Sequence, residues 1–348
     1  CAMMAVCTHA QPSSLEVVRA GDPQLRCIER ANGTTTGHNA YVVMIGPISA
    51  TGEKKYVKWL YAVVALRRAL LDAGSRADML VVAALDDLEP RARLEPSHEA
   101  MLATQGVRFR YVLAPLGIRG FHMGHFKLWA WQLTEYDRVQ VLDADVLPLV
   151  DMDSLFDVAP FTDFLGCPGK VSVLNAGWFT LRPSCEHFER LTRLLYDRGQ
   201  RPGHPWSDRD GWGIGTMPRW RNAVGELMKS GWNFFDARGN QGHMYAYFRF
   251  IAKDLTLIYG DRIVAYSPEH VSEPLTVATK HDRGALSDTI YAAYPCPFPI
   301  QKGEGGLAYY HFTGNKKPWT SYQPQNKRFA QWYAKLAGLG IDVRSLID

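Results

Sequence analysis

Two carboxylates, Asp143 and Asp145, interrupt the otherwise apolar run VQVLDADVLPLV at residues 139–150. A buried carboxylate left without a partner is costly, so the pair implies a cation or a ligand. Alternate residues of an extended strand point apart, but a turn just past the strand end brings both carboxylates to one ion. Mg2+ or Mn2+, held by one or two carboxylates and completed by phosphate oxygens, suits such a pattern. The competing reading is a turn pair of acids. A second stretch, HFTGNKKPW at 311–319, sets an imidazole, a glycine and a lysine close together. His311 is a better ligand for Mn2+ than for Mg2+. Gly314 lets backbone N–H approach a diphosphate, and Lys317 can neutralise one. Alone, the stretch also reads as a turn carrying a solvated lysine pair.

These residues need elements to position them. AYVVMIG (40–46) predicts a strand ended by Gly46-Pro47, followed by a helix over 54–74 and a strand over 78–85. A short helix over 95–106, a strand over 107–113, a helix over 124–136 and a fourth strand with its exit over 138–149 follow. Alternating strands and helices give an α/β class with a Rossmann-like, mainly parallel central sheet flanked by helices. Such sheets bind ligands at the carboxyl ends of their strands, where the DAD triplet begins. Beyond residue 150 the pattern is mixed. A strand is expected over 171–184, a helix over 185–199, a Trp-rich surface loop over 201–222 and a helix over 240–251. Short strands over 256–268 and a strand running into a turn over 307–319 complete the reading.

Composition narrows the class. At 47% hydrophobic and 21% charged residues the chain is an ordinary globular one, with no apolar run near the roughly 18 residues of a membrane span. The net charge of +4 is spread out, which favours anionic substrates mildly and is no nucleic-acid footprint. Six cysteines, at 1, 7, 27, 167, 185 and 296, form no metal-type C-x-x-C pair. Three of them in the first 27 residues, with the NGT sequon at Asn32, suit disulfides and a secretory or Golgi lumen, the cytoplasm being the alternative. Starting at Cys1 rather than Met, the chain reads as processed or truncated, with membrane contact only through an anchor absent from it.

Taken together, DAD and HFTGNKKPW resemble the metal and diphosphate motifs of glycosyltransferase family 8, the glycogenin-like retaining enzymes. KKYVKWLYAVVAL resembles the family's first helix, GHFKLWAWQLTEYDRVQVLDADVL its basic residue, helix and D-x-D strand, LNAGWFTLRPS its Asn-Ala-Gly strand and GNQGHMYAYF its Asp-Gln-Gly helix start. The matches run in family order over roughly residues 40–320. The resemblance implies a GT-A fold with a smaller mixed acceptor-side region, a UDP-sugar donor, Mn2+ (or Mg2+), retention of configuration, and a glycan, glycoprotein or small-molecule acceptor. Residues 1–38 then form an N-terminal extension and 39–348 one catalytic domain, with a nucleotide-binding half (39–150) and an acceptor-side half (151–348). The oligomeric state, dimer included, stays open.

By position the resemblance makes Asp143, Asp145 and His311 the metal ligands, with Ala144 between the acids. Tyr56 would face the uracil, and Lys127 the donor sugar or its phosphates. Asn175, Ala176 and Gly177 would line the sugar, Gln241 the anomeric carbon, and Gly314 and Lys317 the diphosphate. Each also has a plain structural reading: Tyr56 as a helix-start aromatic, Lys127 as a solvated helix residue, Asn175 as a turn former. Trp206, Trp212 and Trp220 read either as an aromatic wall for a sugar chain or as packing.

Two departures matter. Asn240 stands where the family usually has Asp, and an amide is no nucleophile, so front-face displacement is expected rather than a covalent intermediate. Asp236 is the nearest substitute acid. The connection GPISATGEKKY is longer than the family's. Asn240 also motivates the alternative of a weak or inactive nucleotide-sugar- or glycan-binding relative. Metal-dependent phosphoryl or nucleotidyl transfer at a similar strand end is a third reading.

Overall fold

The computed structural model describes residues 18–19, 27, 36–48, 56–85, 92–113, 123–158, 162–169, 171–198, 206–220, 222, 226–259, 262–266, 275–276, 309–312 and 317–347. The first half reads β1 (Val18–Arg19), β2 (Asn39–Ile48), α1 (Val57–Asp72), β3 (Asp78–Leu85), α2 (Pro96–Thr104), β4 (Val107–Leu113), a 3-10 segment (Met123–Gln132), β5 (Arg138–Leu142) and β6 (Val146–Pro148). The second half contains β7 (Phe164–Cys167), β8 (Asn175–Leu181), α3 (Cys185–Arg198), α4 (Asn240–Ala246) with a π turn over Tyr247–Ile251, β9 (Leu255–Tyr259), β10 (Arg262–Tyr266) and β11 (Leu275–Thr276). The chain ends in β12 (Tyr309–His311), α5 (Lys327–Ala337) and α6 (Arg344–Ile347).

Ten strands form one sheet in the order β1-β4-β3-β2-β5-β8-β7-β9-β10-β11. Strands β1, β4, β3, β2 and β5 are mutually parallel, and β8 then joins β5 antiparallel. This is the mainly parallel, helix-flanked sheet joined to a mixed region that the sequence predicts. Period-two alternation decides the layering. Tyr41, Val43 and Ile45 of β2 join the core under α1, whereas Ala40 and Val42 join the core under the 3-10 segment.

Five local expectations change. The strand expected to end at Gly46-Pro47 runs on to Ile48, which pairs with Leu85 of β3 after a register shift. Residues 124–136 form 3-10 turns over Met123–Gln132 rather than an α-helix. His125 to Trp131 are buried throughout, so no solvent-facing side enforces a 3.6-residue period. The strand expected over 171–184 is confined to 175–181, because Gly169 N–H donates to Ser172 O (2.9 Å) and turns the approach. In the 201–222 loop Trp212 and Trp220 pack rather than stand as a wall: both are buried, and Trp212 donates to the Ala237 carbonyl (2.9 Å). Helix α5 has no counterpart among the predicted elements, although Phe329, Trp332, Tyr333 and Leu336 show helical spacing and Asn326 caps its start.

Helix α5 closes the structure onto α1. Trp319 lies between Trp59 and Trp332, with ring centroids 5.1 and 5.6 Å away, and Lys335 pairs with Asp72 at 2.6 Å. Of the N-terminal extension, β1 adds to the sheet edge beside β4, and Cys27 is disulfide-bonded to Cys185 at the start of α3. Cys1, Cys7, Asn32 and Cys296 lie outside the described residues. Among the described residues no helix is long and apolar enough to cross a membrane. Trp332→Ala removes a nearly fully buried indole from the α1–α5 contact and is expected to lower stability by about 3–5 kcal/mol, measured by urea unfolding.

Candidate active site

The site starts where β5 ends. Asp143 N–H still donates to the Gly177 carbonyl of β8 (2.9 Å), so the chain stays against the sheet for one residue more. Val146 N–H then donates to Asp143 O (3.0 Å), closing a tight turn that carries both acids. β6 leaves this turn and pairs antiparallel with β12, with Val146 opposite His311. Phe312 N–H donates to the Asp145 carbonyl (2.9 Å), which fixes the register. A two-stranded ladder thus carries His311 from the far end of the chain to the acids.

Ligand atoms of Asp143, Asp145 and His311 all lie within 4.8 Å of one another. His311 Nε2 is 3.3 Å from Asp145 Oδ1 and 3.8 Å from Asp143 Oδ2. Asp145 Oδ1 is buried without a well-formed hydrogen bond, His311 Nε2 standing 3.3 Å away, and a cation at this seat would satisfy it. Two carboxylates and an imidazole form a donor set that suits Mn2+. Burial alone would push the Asp145 carboxyl up, but His311 and Lys317 outweigh it and hold the group below the usual carboxylate range.

Both expected lysines reach the cluster. Lys317 Nζ pairs with Asp145 Oδ2 and donates to the Phe312 carbonyl. Lys127, only 7% exposed, sets Nζ 2.6 Å from Asp143 Oδ1 and 2.5 Å from the Ala176 carbonyl. Its plain reading as a solvated lysine therefore fails. Asn175 Oδ1 accepts the Gly177 N–H (2.7 Å), shaping the start of β8. A Cβ on Gly177 would collide with the His311 ring, so glycine is required for the imidazole to lie there.

In the second half of the chain, α4 begins at Asn240, and Gln241 N–H donates to Asp236 Oδ2 (3.1 Å). Asp236 adopts φ +59°, uncommon outside glycine, and its carboxylate holds the helix entry. The Gln241 Oε1 lies 2.9 Å from Ser172 Oγ, a positioning contact that the sequence reading missed. Its only sequence signal is nearness to the LNAG stretch. Asn240 is buried with Nδ2 lacking a partner, and its amide lies on Gly124: a Cβ there would come within 2.6 Å of Asn240 Cγ. Tyr56, at the first turn of α1, is buried edge-on to His98 (5.8 Å). It shares the carboxyl edge of the parallel strands with Asp143, and no bond joins it to the acid cluster. Gly314 lies outside the described residues, as does 49–55 of the long β2–α1 connection.

No family model matches the chain. The proposed glucuronosyltransferase PGSIP8 of Arabidopsis thaliana is 30% identical over 187 residues, which cover 50% of this chain and 36% of that protein. Human glycogenin-1 is 35% identical over 77 residues, 22% of each chain. The chain is homologous to the glycogenin-type glycosyltransferases. It spans about a third of the length of the plant relatives it matches. Among solved structures, the galactosyltransferase LgtC in complex with donor and acceptor sugar analogues covers 87% of this chain and 97% of its own, at 12% identity and a TM-score of 0.46. At that score the likeness decides nothing by itself. For the cluster of Asp143, Asp145 and His311, Gly177→Ala is expected to displace the imidazole and lower affinity for added Mn2+ by about 10–100-fold. Titration followed by the electron spin resonance of free Mn2+ checks this, with an unchanged melting temperature showing the fold intact.

Proposed function

We propose that this protein is a metal-dependent glycosyltransferase that moves a sugar from a UDP-sugar to a hydroxyl of a glycan, glycoprotein or small molecule, with retention. The convergence of Asp143, Asp145 and His311 within 4.8 Å carries this reading. These three would hold the divalent cation, which when bound supplies Lewis-acid stabilisation of the leaving diphosphate. Lys317 adds a second positive charge beside Asp145, available to the same phosphates.

The other residues act at the sugar. Gln241, with its amide oxygen steadied by Ser172, offers a neutral oxygen to an electron-poor anomeric carbon. Asn240 has no nucleophilic oxygen, and the Asp236 carboxylate is engaged at the start of α4. Both points favour front-face displacement, in which the leaving phosphate guides the incoming hydroxyl, over a covalent glycosyl intermediate. The plant relative, a proposed glucuronosyltransferase, puts UDP-glucuronate beside UDP-glucose, UDP-galactose, UDP-xylose and UDP-N-acetylglucosamine as donors to try.

The Cys27–Cys185 disulfide supports placement in an oxidising lumen such as the Golgi. Free thiols at both positions in the natural protein, by non-reducing peptide mapping, would remove that support. UDP release from one of the five donors is expected with Mn2+, and to fall by about 100-fold or more in Asp145→Ala. Undiminished turnover in that variant would sink the metal assignment. Nucleotide binding with no release from any donor, in water or with acceptors, would favour an inactive binding relative. Inorganic phosphate as product would mean another reaction class.

A further inference from the structure

Each acid of the cluster faces two ways. Asp143 gives Oδ1 to Lys127 at 2.6 Å and turns Oδ2 toward His311 at 3.8 Å. Asp145 gives Oδ2 to Lys317 and turns Oδ1 toward His311 at 3.3 Å. The two inward oxygens and the imidazole form the cation seat, while the two outward oxygens are each neutralised by an ammonium. Two carboxylates and two ammoniums cancel, so with a neutral imidazole the cluster carries no net charge. Adding a divalent ion leaves two uncompensated positive charges in a site that is largely closed to water apart from the Asp143 side chain, which is unfavourable.

We propose that Lys127 is a built-in counter-cation of this seat, which weakens divalent-ion binding to the protein alone and couples it to the arrival of a nucleoside diphosphate. The inference rests on the metal-dependent reading above. Lys127 suits this part better than Lys317. Its side chain is 9% exposed against 14%, and the Ala176 carbonyl 2.5 Å away anchors its ammonium from a second side. The 3-10 segment that carries it is buried from His125 to Trp131, so the charge cannot swing into solvent without disturbing that packing. The negative charges of a diphosphate restore the balance that a metal ion upsets. Coupling of this kind is reciprocal: the ion must strengthen nucleotide binding by the factor by which the nucleotide strengthens ion binding. A lysine that merely oriented Asp143 as a ligand would have the opposite effect on the ion, because its loss would slacken the seat.

The test uses the full chain, Mn2+ and UDP. Lys127→Met removes charge and hydrogen bond together, and Lys127→Gln removes the charge while keeping a donor for the Ala176 carbonyl. Both are expected to bind Mn2+ alone about tenfold more tightly than the parent, by spin-resonance titration at constant ionic strength. The enhancement of UDP affinity by Mn2+, from calorimetry, should shrink by a similar factor. Unchanged or weaker Mn2+ binding by a Lys127→Gln protein of parental melting temperature overturns the proposal. Equal UDP affinity with and without Mn2+ in the parent protein overturns it too, without any variant. If the parent takes up no Mn2+ even with UDP, the metal-dependent reading itself falls.

Discussion

Two carboxylates held in one tight turn repel each other, and most of the site answers that repulsion. Asp145 is buried and Asp143 only partly exposed, so water screens neither fully. Compensation comes from three places: Lys127 on the 3-10 segment, His311 on β12 and Lys317 in the turn after it. His311 and Lys317 are remote from the acids in sequence, and Lys127 precedes them by a whole 3-10 segment and strand. The local strand-and-turn chemistry of VQVLDADV therefore makes an unstable arrangement on its own, and the fold around it supplies the opposite charge.

That requirement links site and fold. β12 reaches the acids by pairing with β6, and the chain after it closes on α1 through Trp319 and Trp332. Packing of apolar surface at α5 supports the same C-terminal region that delivers His311 and Lys317. Burial and electrostatics thus cooperate: the hydrophobic contact positions His311 and Lys317, and their contacts with Asp145 make that buried acid tolerable. The mixed half contributes differently. β8 supplies Gly177, whose missing side chain leaves room for the imidazole, and the Ala176 carbonyl, which fixes Lys127.

The regular half of the fold was legible because its signals are local. The strands expected at 78–85 and 107–113 have the observed bounds, since one is a short apolar run and the other alternates with period two. Long-range burial defeated the same reasoning elsewhere. A segment buried on every side carries no amphipathic period, so nothing in residues 124–136 separates the expected α-helix from the 3-10 turns observed over Met123–Gln132. Trp212 and Trp220 lie in a loop rich in Gly and Pro, where composition suggests surface; only the three-dimensional packing shows them inside. Ser172 beside Gln241 could not be paired from sequence, because the two are 69 residues apart and neither stretch names the other.

The sequence by itself determined the acids and their place at the end of an apolar strand, which follow from residue type and short-range periodicity and survive without coordinates. The order of its motifs added a resemblance to glycosyltransferase family 8. Only the tertiary structure decided how the charges pair. Which lysine faces which acid, which carboxylate oxygen is left open, and whether Asp236 is free or engaged in holding α4 depend on chain segments far apart in sequence. Electrostatic interaction acts through distance in space, and distance in space is what a linear sequence does not record.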